Sequence, residues 1–261
     1  MVQPGVEQWA AEPRGSGAWG TAQPGPGAGR ALVVGVVGAG GGVGASTFAA
    51  LLARTLARST ATVLVDLDRG GAGVDVLLGL EDADGARWPD LRGAGGDVPG
   101  ADVLALLPRW DACAVLSADR TRPEPVDPAV RVDVLHALAG VVGALVLDLD
   151  RTDVVDGQAP LPACDAVVVV ARRDLRCVAG TLALRPQLDA SGAQVGLVLR
   201  GPAPGGLGVA DVATTTGVDV WTSGPADRAV AARAERTGPA GRGPAHRAAL
   251  VVARRLGVGR W

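Results

Sequence analysis

Residues 36–47 read VVGAGGGVGAST, with glycines at 38, 40, 41, 42 and 44. An apolar, β-branched run (Ala31–Gly38) leads into this stretch. Thr47–Arg58 follows, where Phe48, Leu51, Leu52 and Leu56 recur at helical spacing. A strand, a glycine loop and a helix start in that order aim backbone N–H groups and the positive end of a helix at one point. A phosphate can be held there.

Working outward, Thr62–Val65 reads as a second buried strand ending at Asp66. Similar apolar runs occur at Ala112–Leu116, Ala144–Leu147, Ala166–Val170 and Val195–Leu199. Between them lie helical patterns at Asp127–Ala139, Leu175–Leu188, Gly208–Thr215 and Ala226–Arg236. The strand runs are apolar throughout rather than alternating, so both of their faces are buried. The expectation is an α/β fold of three layers with a mostly parallel sheet, spanning residues 30–237. Residues 1–29 hold seven Gly and four Pro around Trp9 and Trp19, and are expected to be a disordered tail. GPAGRG at 238–243 is a break. A basic helix is expected over 244–256, within a C-terminal segment 238–261 that ends in Trp261.

Composition narrows the function. The 261 residues are 48% hydrophobic, which excludes a disordered chain. All 25 basic residues are Arg; the chain has no Lys. A formal charge of −2 argues against a wholly basic nucleic-acid binder, and no specific nucleic-acid partner is expected. Cys113, Cys164 and Cys177 form no CxxC pair, which argues against a zinc site or disulfide framework. No apolar run has the length of a membrane span, and no basic-then-apolar leader opens the chain. A cytoplasmic protein is expected. Residues 227–261 nonetheless carry eight Arg against two acids.

The glycine loop admits two readings. Gly40-x-Gly42-x-x-Ala45 fits the GxGxxA of dinucleotide-binding turns, with Asp66 near the place where a ribose would be read. The same residues also match, without a gap, the pattern KGGxGK[ST]T: Gly40, Gly41, Gly42, Val43, Gly44, Ala45, Ser46, Thr47. In this the chain resembles the deviant P-loop of the ParA/MinD ATPases. Gly40 and Ala45 stand where that pattern has its two lysines. The resemblance continues through VLVDLD at 63–68 and the RGGAGVDVLLGLE after it. LVLDLD at 145–150 is similar to a Walker B strand, and DAVVVV at 165–170 to the next one. GARWPDL at 85–91, VLRGPAPGGL at 198–207 and the basic closing helix look like the CpaE-like subgroup. That subgroup includes septum-site-determining Ssd proteins and pilus-localising TadZ/CpaE proteins.

The resemblance implies a function in spatial positioning, of a division septum or of a pilus or secretion machine. It implies ATP or ADP with Mg²⁺ as cofactors and the eight loop residues Gly40–Thr47 around the phosphates. Ser46, Asp68 and Asp148 would surround the metal. Asp68 would be the catalytic residue that positions water, with Asp66 supporting it. Arg200, Gly201 and Pro202 would form the adenine-side loop, where Asn is usual. The implied partners are a second copy of the chain, forming a homodimer, and division or secretion proteins. The closing helix would make peripheral contact with the inner face of the cell membrane, or else pack on the domain through Ala245, Ala249, Val252 and Leu256.

The bland alternatives are that Ser46 caps a helix, that Asp66 and Asp68 are solvent-facing strand ends, and that Arg200 belongs to a turn. Trp88 and Trp110 are expected in loops on the sheet rim. A charged hydrogen bond contributes about 1.5–3 kcal/mol. Two lost lysines would then weaken nucleotide binding by about two to four powers of ten. Hydrolysis is expected to be slow or absent, because charge stabilisation dominates phosphoryl transfer. Arg69 and Arg151, just beyond the acidic strands, are cations that could substitute. A scaffold holding no nucleotide and an NAD-dependent oxidoreductase remain as alternatives.

Overall fold

The computed structural model describes residues 30–68, 71, 73–96, 98–123, 125–227, 229–230, 232, 238–239 and 242–258. The expected tail, Arg69 and Trp261 lie outside the described residues, as does most of the helix expected over 226–236.

Among the described residues, eight strands form one sheet: β1 (Leu32–Gly38), β2 (Thr62–Asp66), β3 (Arg109–Trp110), β4 (Cys113–Leu116), β5 (Ala144–Asp148), β6 (Ala166–Arg172), β7 (Gln194–Arg200) and β8 (Val220–Gly224). Their order is β3-β4-β2-β5-β1-β6-β7-β8. Every neighbour pair is parallel except β3 with β4. Every residue of β2, β4 and β5 is buried, as strands covered on both faces require.

The helices are α1 (Ala45–Leu56), α2 (Val74–Leu78), α3 (Gly100–Leu106), α4 (Pro128–Ala139), α5 (Arg151–Val155), α6 (Leu175–Ala190), α7 (Val209–Thr216) and α8 (Pro244–Arg255). They fall into three packed groups. Helices α1 and α8 pack on each other, with α1 over β1, β2 and β5 and α8 over β8; α3–α4 and α5–α6–α7 form the other contacts. Carboxylates start three of these helices. Asp127 accepts from the amide of Ala129, Asp150 from Thr152 and Asp174 from Cys177.

Strand order decides between the two loop readings. In a dinucleotide-binding sheet β1 lies beside β2. Here β5 lies between them, in register with both. The strand that Asp66 ends is therefore not the neighbour of β1 that the dinucleotide-binding motif requires, and the sheet order goes against the oxidoreductase alternative.

Helix α8 turns the expected face inward. Ala249 and Val252 are buried and Ala245 and Leu256 pack against the core. Arg255 lies over the Trp221 ring, 5.4 Å from its centroid. No helix among the described residues is long and apolar enough to cross a membrane. Trp88 and Trp110 are both buried, and neither lies in a loop: Trp88 opens a 3-10 turn (Trp88–Leu91) and Trp110 belongs to β3.

Helix α6 comes close enough to β1 that Gly180 faces the carbonyl of Ala39, where a Cβ would overlap the oxygen. This contact backs the start of the glycine loop. Gly180→Ala is expected to cost about 1–3 kcal/mol through overpacking. Chemical denaturation would measure the loss, and an unchanged midpoint would show that α6 is not seated there.

A phosphate-loop cavity with orphaned charges

Strand β1 delivers the loop to the middle of the sheet, between β5 and β6. The loop is tied at both ends. The Ala39 amide donates to the Val170 carbonyl at 2.9 Å, and Nη1 of Arg200 donates to the Val43 carbonyl at 2.7 Å. Gly44 has φ +86, and a Cβ there would run into the Arg200 guanidinium. Only glycine satisfies both conditions. A Cβ at Gly41 or Gly42, by contrast, would meet nothing. That open side of the loop faces a cavity of about 460 Å³, lined by residues 40–47 together with Asp66, Asp68, Asp148 and Arg151. The eight loop residues expected around a phosphate are thus brought together with Asp68 and Asp148.

No side chain caps α1. Its first-turn N–H groups have no intrahelical acceptors. Ser46 does not cap the helix; its hydroxyl lies near the Asp148 carboxylate and opposes the rise of its pKa. Asp148 is 2% exposed, and its Oδ2 has no hydrogen-bond partner. Burial, reinforced by Asp66 and Asp68 and opposed by Ser46, pushes its pKa up to about 8.

Asp66 pairs in register with Asp148 across β2 and β5. Its own carboxylate accepts the amides of Val74 at 2.9 Å and Asp68 at 3.0 Å. These bonds commit it to holding the loop that leaves β2, and it does not face solvent. Burial still pushes its pKa up to about 6. The sequence reading missed the brace around it. Trp88 donates its indole N–H to the Asp66 carbonyl at 2.6 Å, and Arg87 pairs with buried Asp75 at 3.3 Å. GARWPDL contains two of these groups, but nothing local in it points to Asp66 or Asp75.

Arg200 also does more than end a strand, since it spans 157 residues of sequence to reach the loop. Beside it, toward Gly224, Pro225 and Ala245, only about 30 Å³ is free. That is room for about one water. Among the described residues no three His, Cys, Asp or Glu side chains cluster as a ready-made metal cage.

No protein-family model matches the chain. Uncharacterized proteins from two strains of Mycobacterium tuberculosis, CDC 1551 and H37Rv, are each 41% identical over 212 residues. That match takes in 79% of this chain and 58% of theirs, so the chain spans little more than half their length. Among solved structures, a MinC:MinD cell division complex from Aquifex aeolicus aligns with TM-score 0.71 at 19% identity, covering 88% of this chain and 98% of that one. The septum site-determining protein MinD of Pyrococcus horikoshii, complexed with Mg-ADP, aligns with TM-score 0.71 at 18% identity, covering 87% and 96%. A ParA family ATPase from Chlorobium tepidum gives 0.68 at 15% identity, covering 87% and 93%. The fold is that of the MinD/ParA P-loop ATPases.

The two raised carboxyls make a signed prediction. Both lie above the ordinary value of 3.8, so the unfolded chain releases these protons first. Their contribution to stability is complete below about pH 4 and is lost as pH rises through about 6 and about 8. In metal-free buffer, Asp148→Asn should flatten the upper part of that decline in the melting temperature. A wild-type slope retained by the variant would show that Asp148 titrates normally.

Proposed function

We propose that the chain is a MinD/ParA-type nucleotide-responsive protein of the CpaE/Ssd kind. It would position division or pilus/secretion machinery and bind Mg²⁺ with ATP or ADP weakly, with hydrolysis slow or absent. One observation carries this reading. The cavity is lined by the loop residues, Ser46 among them, and by Asp148, whose Oδ2 has no partner, yet Gly40 and Ala45 bring no charge to the two lysine positions of the pattern. Residues 40–47 would hold the phosphates through backbone N–H groups. Ser46 and Asp148 would hold Mg²⁺ with Asp68 beside it, and phosphate oxygens and water would complete the shell. The bound metal would supply the counter-charge that the loop lacks.

The resemblance supports a homodimer and a protein partner in division or secretion. A cytoplasmic site of action fits the same reading. Peripheral membrane contact would run through Arg247, Val251 and Arg254, the exposed face of α8, because the opposite face is buried. The excess of carboxylates (Asp66, Asp68 and Asp148) over cations in the cavity favours one second reading, a scaffold that holds no nucleotide.

Calorimetric titration with Mg·ATP, ADP and NADH separates the readings. Binding of Mg·ATP or ADP in preference to NADH is expected. Gly40→Lys with Ala45→Lys should tighten it at least about tenfold, the effect of one charged hydrogen bond or more. No heat at millimolar nucleotide would establish the scaffold reading. No gain from the two lysines would show that the loop cannot hold phosphate.

A further inference from the structure

Arg151 opens α5, and the helix start is fixed by Asp150, whose carboxylate accepts the amides of Thr152 at 2.6 Å and Asp153 at 3.4 Å. This placement puts the Arg151 side chain on the wall of the cavity beneath the glycine loop. It is the one cation among the described residues lining that cavity. Its Nε is buried and has no hydrogen-bond partner. A buried guanidinium N–H without an acceptor is costly, and the rest of the fold offers it none. The other arginine near the loop, Arg200, holds the Val43 carbonyl through Nη1 and does not line this cavity.

Across the same cavity, Oδ2 of Asp148 is also without a partner. Among the described residues nothing hydrogen-bonds either atom. A ligand that fits both must offer acceptor oxygens to Arg151 and a cation to Asp148. A metal-chelated phosphate chain does so.

We infer that Arg151 is the phosphate-binding residue of this site and takes over the charge missing at Gly40 and Ala45. The inference rests on the nucleotide reading above. The cation enters from the β5 side instead of from the loop, and it brings a planar fork suited to two phosphate oxygens where a lysine offers a point charge.

Binding of a fluorescent ADP analogue with Mg²⁺ tests this in the full-length chain, with melting of the ligand-free protein as the control. Arg151→Ala should weaken binding by about ten- to a hundredfold, the range for one charged hydrogen bond. Its ligand-free melting temperature should be unchanged or higher, since a buried, unpartnered Nε–H has gone. Arg151→Lys should retain most of the affinity. Ala45→Lys placed in the Arg151→Ala background should restore it, because the lost charge returns at the loop. A purely structural role for Arg151 would be rescued by neither lysine. Wild-type affinity that survives Arg151→Ala overturns this inference alone. A wild-type chain with no affinity for the analogue overturns the nucleotide reading with it.

Discussion

A carboxylate is buried at the tip of β5 with Ser46 on one side and nothing on its other oxygen. The rest of the site follows from that placement. β5 lies between β1 and β2, so the loop leaving β1, the acidic end of β2 and Asp148 converge. Burying one ionised carboxylate beside a second is unfavourable, and raised pKa values are the physical expression of that cost. In the ligand-free chain the strain is relieved by protonation. A divalent cation would relieve it better, which ties the unusual electrostatics to a ligand.

The surrounding structure keeps that cavity open. Gly180 lets α6 back the Ala39 carbonyl, Arg200 fastens Val43, and Trp88 with the Arg87–Asp75 pair braces the segment after Asp66. None of these residues supplies charge to the cavity itself. On the proposed reading, such a cavity would hold phosphate with few charges to stabilise its transfer, which suits a nucleotide-dependent shape or contact more than turnover.

The central sheet was legible in the sequence because its strands are buried on both faces and so consist of unbroken apolar runs. Where that condition lapses, the strands were not read. β8 runs along the edge as VWTSG with only Trp221 buried, and β3 is two residues long. Helices α2, α3 and α5 span five to seven residues, too short for a 3.6-residue period to emerge. At the site, the loop itself is a local motif and was readable as one. Arg200, Gly180 and the Trp88 brace act across long sequence separations, and no local pattern announces them. Asp66 was assigned a supporting role toward water, but its carboxylate is occupied by the Val74 and Asp68 amides. The GxGxxA match was a true pattern in a different sheet; only strand order could separate the two readings.

Amide hydrogen exchange across residues 40–47, with and without Mg·ADP, addresses the matter most directly, since on the proposed reading the backbone N–H groups of the loop hold the phosphates. Slowed exchange at these amides on adding millimolar Mg·ADP, with distant strands unchanged, is the expected result. Identical exchange in both conditions would mean that these amides contact no phosphate, and that the loop is only a turn between β1 and α1.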